Sequence, residues 1–238
     1  MKRTRGFTLI ELAIVLVIIT ILIGGLAVPL SAQIQARRIA ETKQTLNEAR
    51  EALFGYAMAN HASNGTGAPY LPCPNVNGDG REGPRDAGRC LQSEGYLPWV
   101  TLGTSAQDAW GNRLRYAVTE DFAHSVTGLP SSAPGDRQIC SISTNAGPND
   151  CGVQGDVAAD VPVVILSHGP NGWGARNVNG NTLAAPSSNS ERENANSDHI
   201  DKEFVSPLPS GTEEFDDLVT WISADQLRGR ICPPGGCP

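Results

Sequence analysis

The chain has 238 residues, 18 of them basic and 25 acidic, and a formal net charge of −7. This acidic balance disfavours a general nucleic-acid-binding surface, which needs clustered lysine and arginine. The 26 glycines, 17 prolines and 5% aromatic residues predict long loops around a small core.

The first thirty residues combine a short basic end with a long apolar run. Three of the first five residues are basic, and Gly6 then precedes residues 7–30, in which Glu11 is the only charged residue. At about 1.5 Å per residue, a helix over residues 7–30 is long enough to cross a hydrocarbon layer of about 30 Å. Because basic residues favour the cytoplasmic side, we expect the rest of the chain outside the cytoplasm.

Glu11 is unusual, because an ionisable side chain inside a membrane span costs about 2.5–3.5 kcal/mol on insertion scales. Cleavage between Gly6 and Phe7 would place a new α-amino group one helical turn from this carboxylate. The amine of one helix could then pair with Glu11 of a neighbouring helix, and such a buried pair would set their register. An ordinary signal-anchor helix with a stray glutamate is the alternative.

These residues resemble the N-terminal motif of the type IV pilin superfamily, which comprises pilins, minor pilins and type II secretion pseudopilins. The match consists of the basic leader, residues 6–12 (GFTLIEL) and the apolar run that follows. The resemblance implies cleavage after Gly6 by a prepilin peptidase, N-methylation of Phe7 and a role for Glu11 in filament assembly. It also implies that the partners are other pilin or pseudopilin subunits, an inner-membrane assembly platform and the membrane itself.

The helical pattern continues beyond the apolar run. Residues 31–60 are rich in good helix formers. Their apolar positions recur at three- and four-residue steps along one stripe: Ile39, Thr42, Leu46, Ala49, Leu53 and Ala57. We therefore predict one long helix, with a transmembrane half over residues 7–30 and an amphipathic half over residues 31–60. Gly24, Gly25 and Pro29 weaken this helix, and the resemblance implies that it can soften there during assembly.

The six cysteines indicate a compartment in which disulfides persist. They allow fifteen pairings, and we favour those between sequence neighbours because each such pair encloses a loop rich in proline and glycine. The favoured pairs are Cys73–Cys90, Cys140–Cys151 and Cys232–Cys237. The absence of a Cys-x-x-Cys pair argues against a zinc or redox site.

One turn-rich segment has the oxygen spacing of a calcium loop. Asn75, Asn77, Asp79 and Asp86 occupy positions 1, 3, 5 and 12, with glycine at position 6. Asn-Gly and Asp-Gly are also ordinary turn formers, so a simple turn is the alternative. We expect no required cofactor, with calcium as an optional ligand.

Two further segments resemble the major pseudopilins. Residues 108–112 (DAWGN) match a segment that enters a strand in that family, and residues 167–172 (SHGPNG) match its calcium-binding loop, with Asn171 in place of aspartate. Asp198 and Asp201 would complete the ligand set. They follow an insertion over residues 177–196, which we expect to be a mobile surface loop.

Apolar patterns in the second half of the chain predict a small sheet. Leu114, Tyr116 and Val118 alternate as in a half-buried strand. Further strands are predicted over residues 139–143, 161–167 and 218–223, followed by a short helix over residues 224–229. Antiparallel pairing of these strands, covered by the helix stripe, gives an α+β fold with long disulfide-closed loops. The domain organisation is a leader over residues 1–6, the long helix, and a globular domain over residues 61–238.

The sequence shows no pattern typical of an enzyme. Its four histidines are isolated, and no His-Glu-x-x-His, Gly-x-Ser-x-Gly or phosphate-loop pattern is present. Asp216 and Asp217 are adjacent, so in a strand they would point to opposite faces and form no catalytic pair. We interpret them, together with Glu213 and Glu214, as a solvated acidic rim.

The leading interpretation is a pilin-like structural subunit, held in the bacterial inner membrane and then drawn into a periplasmic or cell-surface filament. The fairly large domain and its insertion favour a minor subunit. Two alternatives stay open. One is a tip-located minor pilin that binds a surface or ligand, and the other is a type II secretion pseudopilin, which the match at residues 108–112 favours.

Overall fold

The structure is a computed structural model that describes residues 8–142, 156–196, 202–206 and 215–232, without the side chains of residues 23–29. The chain divides into two units, Met1–Ala40 and Glu41–Pro238. Several residues singled out in the sequence lie outside the description: Gly6, Phe7, Cys151, Asp198, Asp201, Glu213, Glu214 and Cys237. Gly24, Gly25 and Pro29 belong to the stretch over residues 23–29, so softening of the helix at these residues stays a prediction.

Helix α1 spans Leu9–Ala59, and its residues 9–40 belong to the first unit. Residues 9–22 are apolar except for Glu11 and Thr20. The Thr20 hydroxyl donates to the Leu16 carbonyl oxygen at 2.8 Å, so it is satisfied within the helix. Within the residues that the structure describes, no helix is long and apolar enough to cross a bilayer.

The part of α1 that belongs to the second unit buries the predicted stripe. Thr42, Leu46, Ala49, Leu53 and Ala57 are all buried. Because they recur every three or four residues, they form one face of the helix. Burial of these five residues agrees with the predicted stripe, whose first member, Ile39, is only half-buried.

Short strands and helices make up the remainder of the second unit. The described strands are β1 (Arg85–Asp86), β2 (Arg89–Cys90), β3 (Glu94–Tyr96), β4 (Arg115–Val118), β5 (Arg137–Cys140), β6 (Ala158–Val161), β7 (Val163–Ser167), β8 (Glu203–Val205) and β9 (Leu218–Ile222). The further helices are α2 (Trp99–Leu102), a 3-10 turn (Glu120–Ala123), α3 (Asn189–Ala195) and α4 (Ala224–Ile231).

The strands form two main sheets and a small hairpin. The larger sheet has the order β3-β4-β7-β9 and is antiparallel throughout, whereas the smaller sheet has the order β6-β5-β8. The predicted antiparallel pairing is confirmed for the larger sheet. The smaller sheet is mixed, because β8, a strand that the sequence did not predict, runs parallel to β5 with Ile139 opposite Phe204. A parallel neighbour needs a long connection, and more than 60 residues of chain separate these two strands.

Strand β7 lies between two hydrophobic cores. Val163 and Ile165 pack in the core that contains the α1 stripe, while Val164 and Leu166 pack in the core that contains β5, β6 and β8. Since successive side chains of a strand point to opposite faces, both faces of β7 are buried. This explains why its sequence is apolar throughout.

The predicted mobile loop over residues 177–196 is wrong for its C-terminal part, because a capped helix forms there. The Ser188 side chain accepts a hydrogen bond from the backbone N–H of Glu191 at 3.2 Å and so caps α3. Asn194 of α3 is buried, and its side chain exchanges two hydrogen bonds with the backbone of Val205 in β8. These contacts attach α3 to the smaller sheet.

The predicted Cys73–Cys90 disulfide is present, with a sequence separation of 17. Cys140 and Cys232 are also disulfide-bonded. Their predicted partners, Cys151 and Cys237, lie outside the described residues.

Candidate functional site

The N-terminus of α1 is closed by a capping box between Thr8 and Glu11. The backbone N–H and the hydroxyl of Thr8 each donate to Glu11 Oε2 at 2.8 Å, and the Glu11 N–H donates to Thr8 Oγ1 at 3.4 Å. The carboxylate thus lies where the free N–H groups of the helix favour an anion. Sequence reasoning missed the hydrogen bonds between Glu11 and Thr8, although the Thr-x-x-Glu pattern was their signal.

The apolar side chains of residues 9–22 form a candidate interaction surface. The large ones are 44–89% exposed in the isolated chain. They surround the helix, since residues 14–19 are all apolar and all exposed. A helix that is apolar on every side is stable only when lipid or other protein covers it.

The first predicted calcium loop has the hydrogen bonds of a turn. Asn75 is buried, and its Nδ2 donates to Asp79 Oδ1 at 2.6 Å and to the Arg81 carbonyl oxygen at 2.7 Å. Asn77 is exposed, and Asp86 is an exposed residue of β1. The structure therefore brings Asn75 and Asp79 together through an N–H donor, as the simple-turn alternative predicts, and calcium binding here stays a prediction.

The second predicted loop places Asn171 against acidic side chains. Its Nδ2 donates to Glu191 Oε1 at 2.9 Å, its backbone N–H donates to Asp216 Oδ2 at 2.9 Å, and its Oδ1 accepts from the Trp173 N–H at 2.8 Å. The Asn171 oxygen is thus already used by the backbone. Sequence reasoning missed Glu191, for which the Ser-x-x-Glu capping pattern at Ser188 was the available signal.

The solvated-rim interpretation is wrong for Asp216 and Asp217. Both precede β9 in an irregular segment, so the alternation of a strand does not separate their side chains. The Asp217 side chain is 1% exposed and that of Asp216 is half-buried. Residues of α3 and of the loop after β7 contact both aspartates. Because these residues are distant in the sequence, the local sequence around Asp216 and Asp217 does not indicate the contacts.

The Asp108–Asn112 turn joins three parts of the second unit. Asp108 is buried, and its Oδ1 accepts from the N–H groups of Trp110 and Asn112, both at 2.9 Å. Its Oδ2 accepts from Ser167 Oγ, at the end of β7, at 2.7 Å. The N–H of Ala109 donates to Thr42 Oγ1 of α1 at 3.2 Å. The two segments that resemble the major pseudopilins are therefore in direct contact.

Comparison with known proteins identifies the N-terminal region. A protein-family model described as the prokaryotic N-terminal methylation motif matches residues 1–27. No curated protein and no solved structure matches the chain. The matched region contains Gly6, Phe7 and Glu11, together with the capping box and the exposed apolar surface of residues 9–22. The chain therefore begins with the prokaryotic N-terminal methylation motif, the signature of type IV pilins and pseudopilins.

Proposed function

We propose that the protein is a minor pilin-like subunit, cleaved after Gly6 and assembled through α1 into a type IV pilus-type filament. The observation that carries this proposal is the N-terminal methylation motif over residues 1–27. The motif points to a structural subunit rather than an enzyme, and in general to processing by a prepilin peptidase and assembly with other pilin subunits.

In this proposal, residues 7–30 anchor the subunit in the inner membrane before assembly, and the C-terminal domain lies outside the cytoplasm. The exposed apolar residues 9–22 support it, because lipid would cover them before assembly and neighbouring helices afterwards. The Cys73–Cys90 disulfide supports an oxidising compartment for the domain.

Glu11 has two separable roles in this proposal. Within its own helix, it accepts hydrogen bonds from Thr8. Between subunits, it pairs with the α-amino group of Phe7 on a neighbouring chain, which exists only after cleavage. The first role needs a side-chain acceptor, whereas the second needs a negative charge.

Two substitutions at Glu11 distinguish these roles. Glu11→Gln retains a capping acceptor, since glutamine also serves at this position, but it removes the charge. Glu11→Ala removes both. We expect both variants to insert into the membrane and to fall at least tenfold in shed filaments, measured by immunoblot against the membrane pool. Normal incorporation of Glu11→Gln with loss of Glu11→Ala would show that capping alone matters, and it would refute charge pairing.

Processing is tested independently at Gly6. In Gly6→Ala, the uncut precursor should accumulate, and intact-mass measurement should find it about six residues heavier than the mature chain. Cleavage of the variant at the wild-type rate would contradict the proposed site.

A second candidate is a type II secretion pseudopilin. The contact between Asp108 and Ser167 favours it, because it joins the two segments that resemble the major pseudopilins. Deletion of the gene discriminates: a pseudopilin is needed for release of secreted proteins, whereas a minor pilin is needed for normal surface pili. Immunogold labelling only at filament ends would instead support the tip-located binding subunit.

A further inference from the structure

A small pocket in the second unit is lined by two arginine side chains. Its other walls come from the turn at residues 77–78 and from Tyr96 and Trp99, and the two arginines are Arg113 and Arg176. Its volume is about 80 Å³, which leaves room for a small charged group beside the guanidinium groups.

Backbone pairing places the two arginines next to each other. The Arg113 N–H donates to the Arg176 carbonyl oxygen at 2.8 Å. Beside this hydrogen bond, Asn112 and Asn177 form an antiparallel bridge. The two segments are therefore fixed side by side, and both arginines reach the same pocket.

The Arg113 side chain is held in place by stacking and by carbonyl oxygens. Its guanidinium carbon lies over the Trp99 ring, 4.0 Å from the centroid. It also donates to the carbonyl oxygens of Ala106 at 3.2 Å and Val178 at 3.4 Å. Trp99 in turn packs on Gly80, where a Cβ would collide with the indole ring. An arginine fixed in this way loses little rotamer freedom when it binds an anion.

The Arg176 side chain keeps its terminal nitrogens unused. Its Nε donates to the Gly180 carbonyl oxygen at 3.1 Å, whereas Nη1 and Nη2 donate to none of the described residues. A Cβ at Gly78 would lie 3.7 Å from Nη1, and one at Gly180 would lie 3.5 Å from Nη2. The terminal N–H groups thus lie beside two glycines that have no side chain to offer them an acceptor.

The pocket is positively charged although the chain is acidic, with a formal net charge of −7. Among the described ion pairs, none includes Arg113 or Arg176. Asp79, in the adjoining turn, uses its Oδ1 to accept from Asn75 Nδ2 and from the Arg81 N–H. Burial, with the positive charge of Arg176, lowers the pKa of Arg113 below its ordinary value. A bound anion would relieve this repulsion, since an opposite charge favours the ionised form.

A larger pocket shares Tyr96 with the arginine pocket and has a volume of about 310 Å³. Its lining includes Gln92 and Thr182, whose side chains are an amide and a hydroxyl. Arg115 also lines it but is paired with Glu94 at 3.4 Å. The larger pocket therefore offers mainly uncharged polar contacts and an aromatic wall, which suit a ligand rich in hydroxyl groups.

We infer that the two pockets bind a sugar acid such as galacturonate. Arg113 and Arg176 would hold its carboxylate, because the planar fork of a guanidinium donates two parallel N–H groups to a carboxylate. The sugar ring would lie against Tyr96 in the larger pocket. This inference is independent of the proposed function, because the site is formed by residues of a single chain and does not require a filament.

The site is tested by a saturation-transfer NMR titration of the purified full-length chain in detergent. Sodium galacturonate should bind saturably, whereas galactose at the same concentration and ionic strength should not. Arg113→Gln and Arg176→Gln should each weaken galacturonate binding at least tenfold. The matched control is Arg81→Gln, which removes the same charge from an exposed residue outside the pocket and should bind like the wild type.

Thermal unfolding separates loss of binding from loss of folding. Arg176→Gln removes one hydrogen bond to the described residues, so without ligand it should keep the wild-type near-UV circular dichroism spectrum. Galacturonate should raise the Tm of the wild type and of Arg81→Gln, but not that of Arg176→Gln. Absence of binding to the wild type would overturn the inference, as would wild-type affinity in either pocket variant. Equal weakening in Arg81→Gln, or equally tight binding of galactose or inorganic phosphate, would also overturn it.

Discussion

Replacing Asp108 with alanine should destabilise the globular domain severely. The change removes the acceptor of three hydrogen bonds, from Trp110, Asn112 and Ser167. The Asn112 N–H and the Ser167 hydroxyl are buried and would keep no partner at this position. Each orphaned buried donor costs about 1–3 kcal/mol, so we expect a loss of about 4 kcal/mol in the free energy of unfolding.

Asparagine at the same position provides a near-isosteric comparison. In Asp108→Asn, the amide oxygen still accepts from the two backbone N–H groups, and the amide nitrogen can donate to Ser167 Oγ. Only the Ser167 hydroxyl hydrogen then loses its acceptor, so the expected loss is about 1–2 kcal/mol, the cost of one orphaned donor. The exposed Asp86→Ala should change stability by less than about 0.5 kcal/mol.

The assay is equilibrium unfolding of the mature chain in guanidinium chloride, followed by tryptophan fluorescence in one detergent for all variants. The midpoint and the slope together give the free energy of unfolding. If Asp108→Ala unfolds within about 1 kcal/mol of the wild type, the turn does not join the elements as we describe. A loss in Asp108→Asn equal to that in Asp108→Ala would also refute the argument from unsatisfied donors.

Three other changes test the packing and charge of the domain. Replacing Cys73 and Cys90 together by alanine should lower the free energy of unfolding by about 3 kcal/mol, the loop entropy for a separation of 17; an unchanged denaturation midpoint would contradict this. Although burial opposes it, the charge of Arg137 helps to lower the pKa of Asp136 below its ordinary value. The ionised Asp136 carboxylate therefore stabilises the folded state fully at pH values above the pKa of Asp136 in the unfolded chain. This stabilisation is lost as the pH falls through the pKa of Asp136 in the folded chain. In Asp136→Asn, the free energy of unfolding should depend less on pH in that acidic range, and an unchanged pH dependence would contradict this. Gly55→Ala in α1 meets no atom within 4 Å and should raise stability by about 1 kcal/mol, whereas a lower Tm would indicate a hidden contact.

Periodic features were predictable from the sequence because they depend on local geometry. The helix stripe from Thr42 to Ala57 follows from the 3.6-residue repeat. The continuous apolar run of β7 follows from burial of both its faces. Pro162, which lacks an N–H group, lies between β6 and β7, so the strand predicted over residues 161–167 begins one residue after it.

Features that depend on distant contacts were not predictable in the same way. Nothing in the local sequence of β5 indicates that β8 pairs with it in parallel. Glu191, Asp216 and Asp217 meet only because α3 and the segment before β9 both reach the end of β7. The polar composition of residues 177–196 suggested a loop, yet the cap at Ser188 and the burial of Asn194 outweighed that preference.

Strand β7 determines how the domain should respond to mechanical load. It is hydrogen-bonded along both edges, to β4 and β9, and each of its faces belongs to a different core. Neither of the two cores can therefore open at β7 without disrupting the packing of the other core. The backbone amides of Val164 and Ile165 should exchange with solvent only through global unfolding. Under tension the domain would then unfold in one cooperative step, without a partly opened intermediate that exposes an unpaired strand edge.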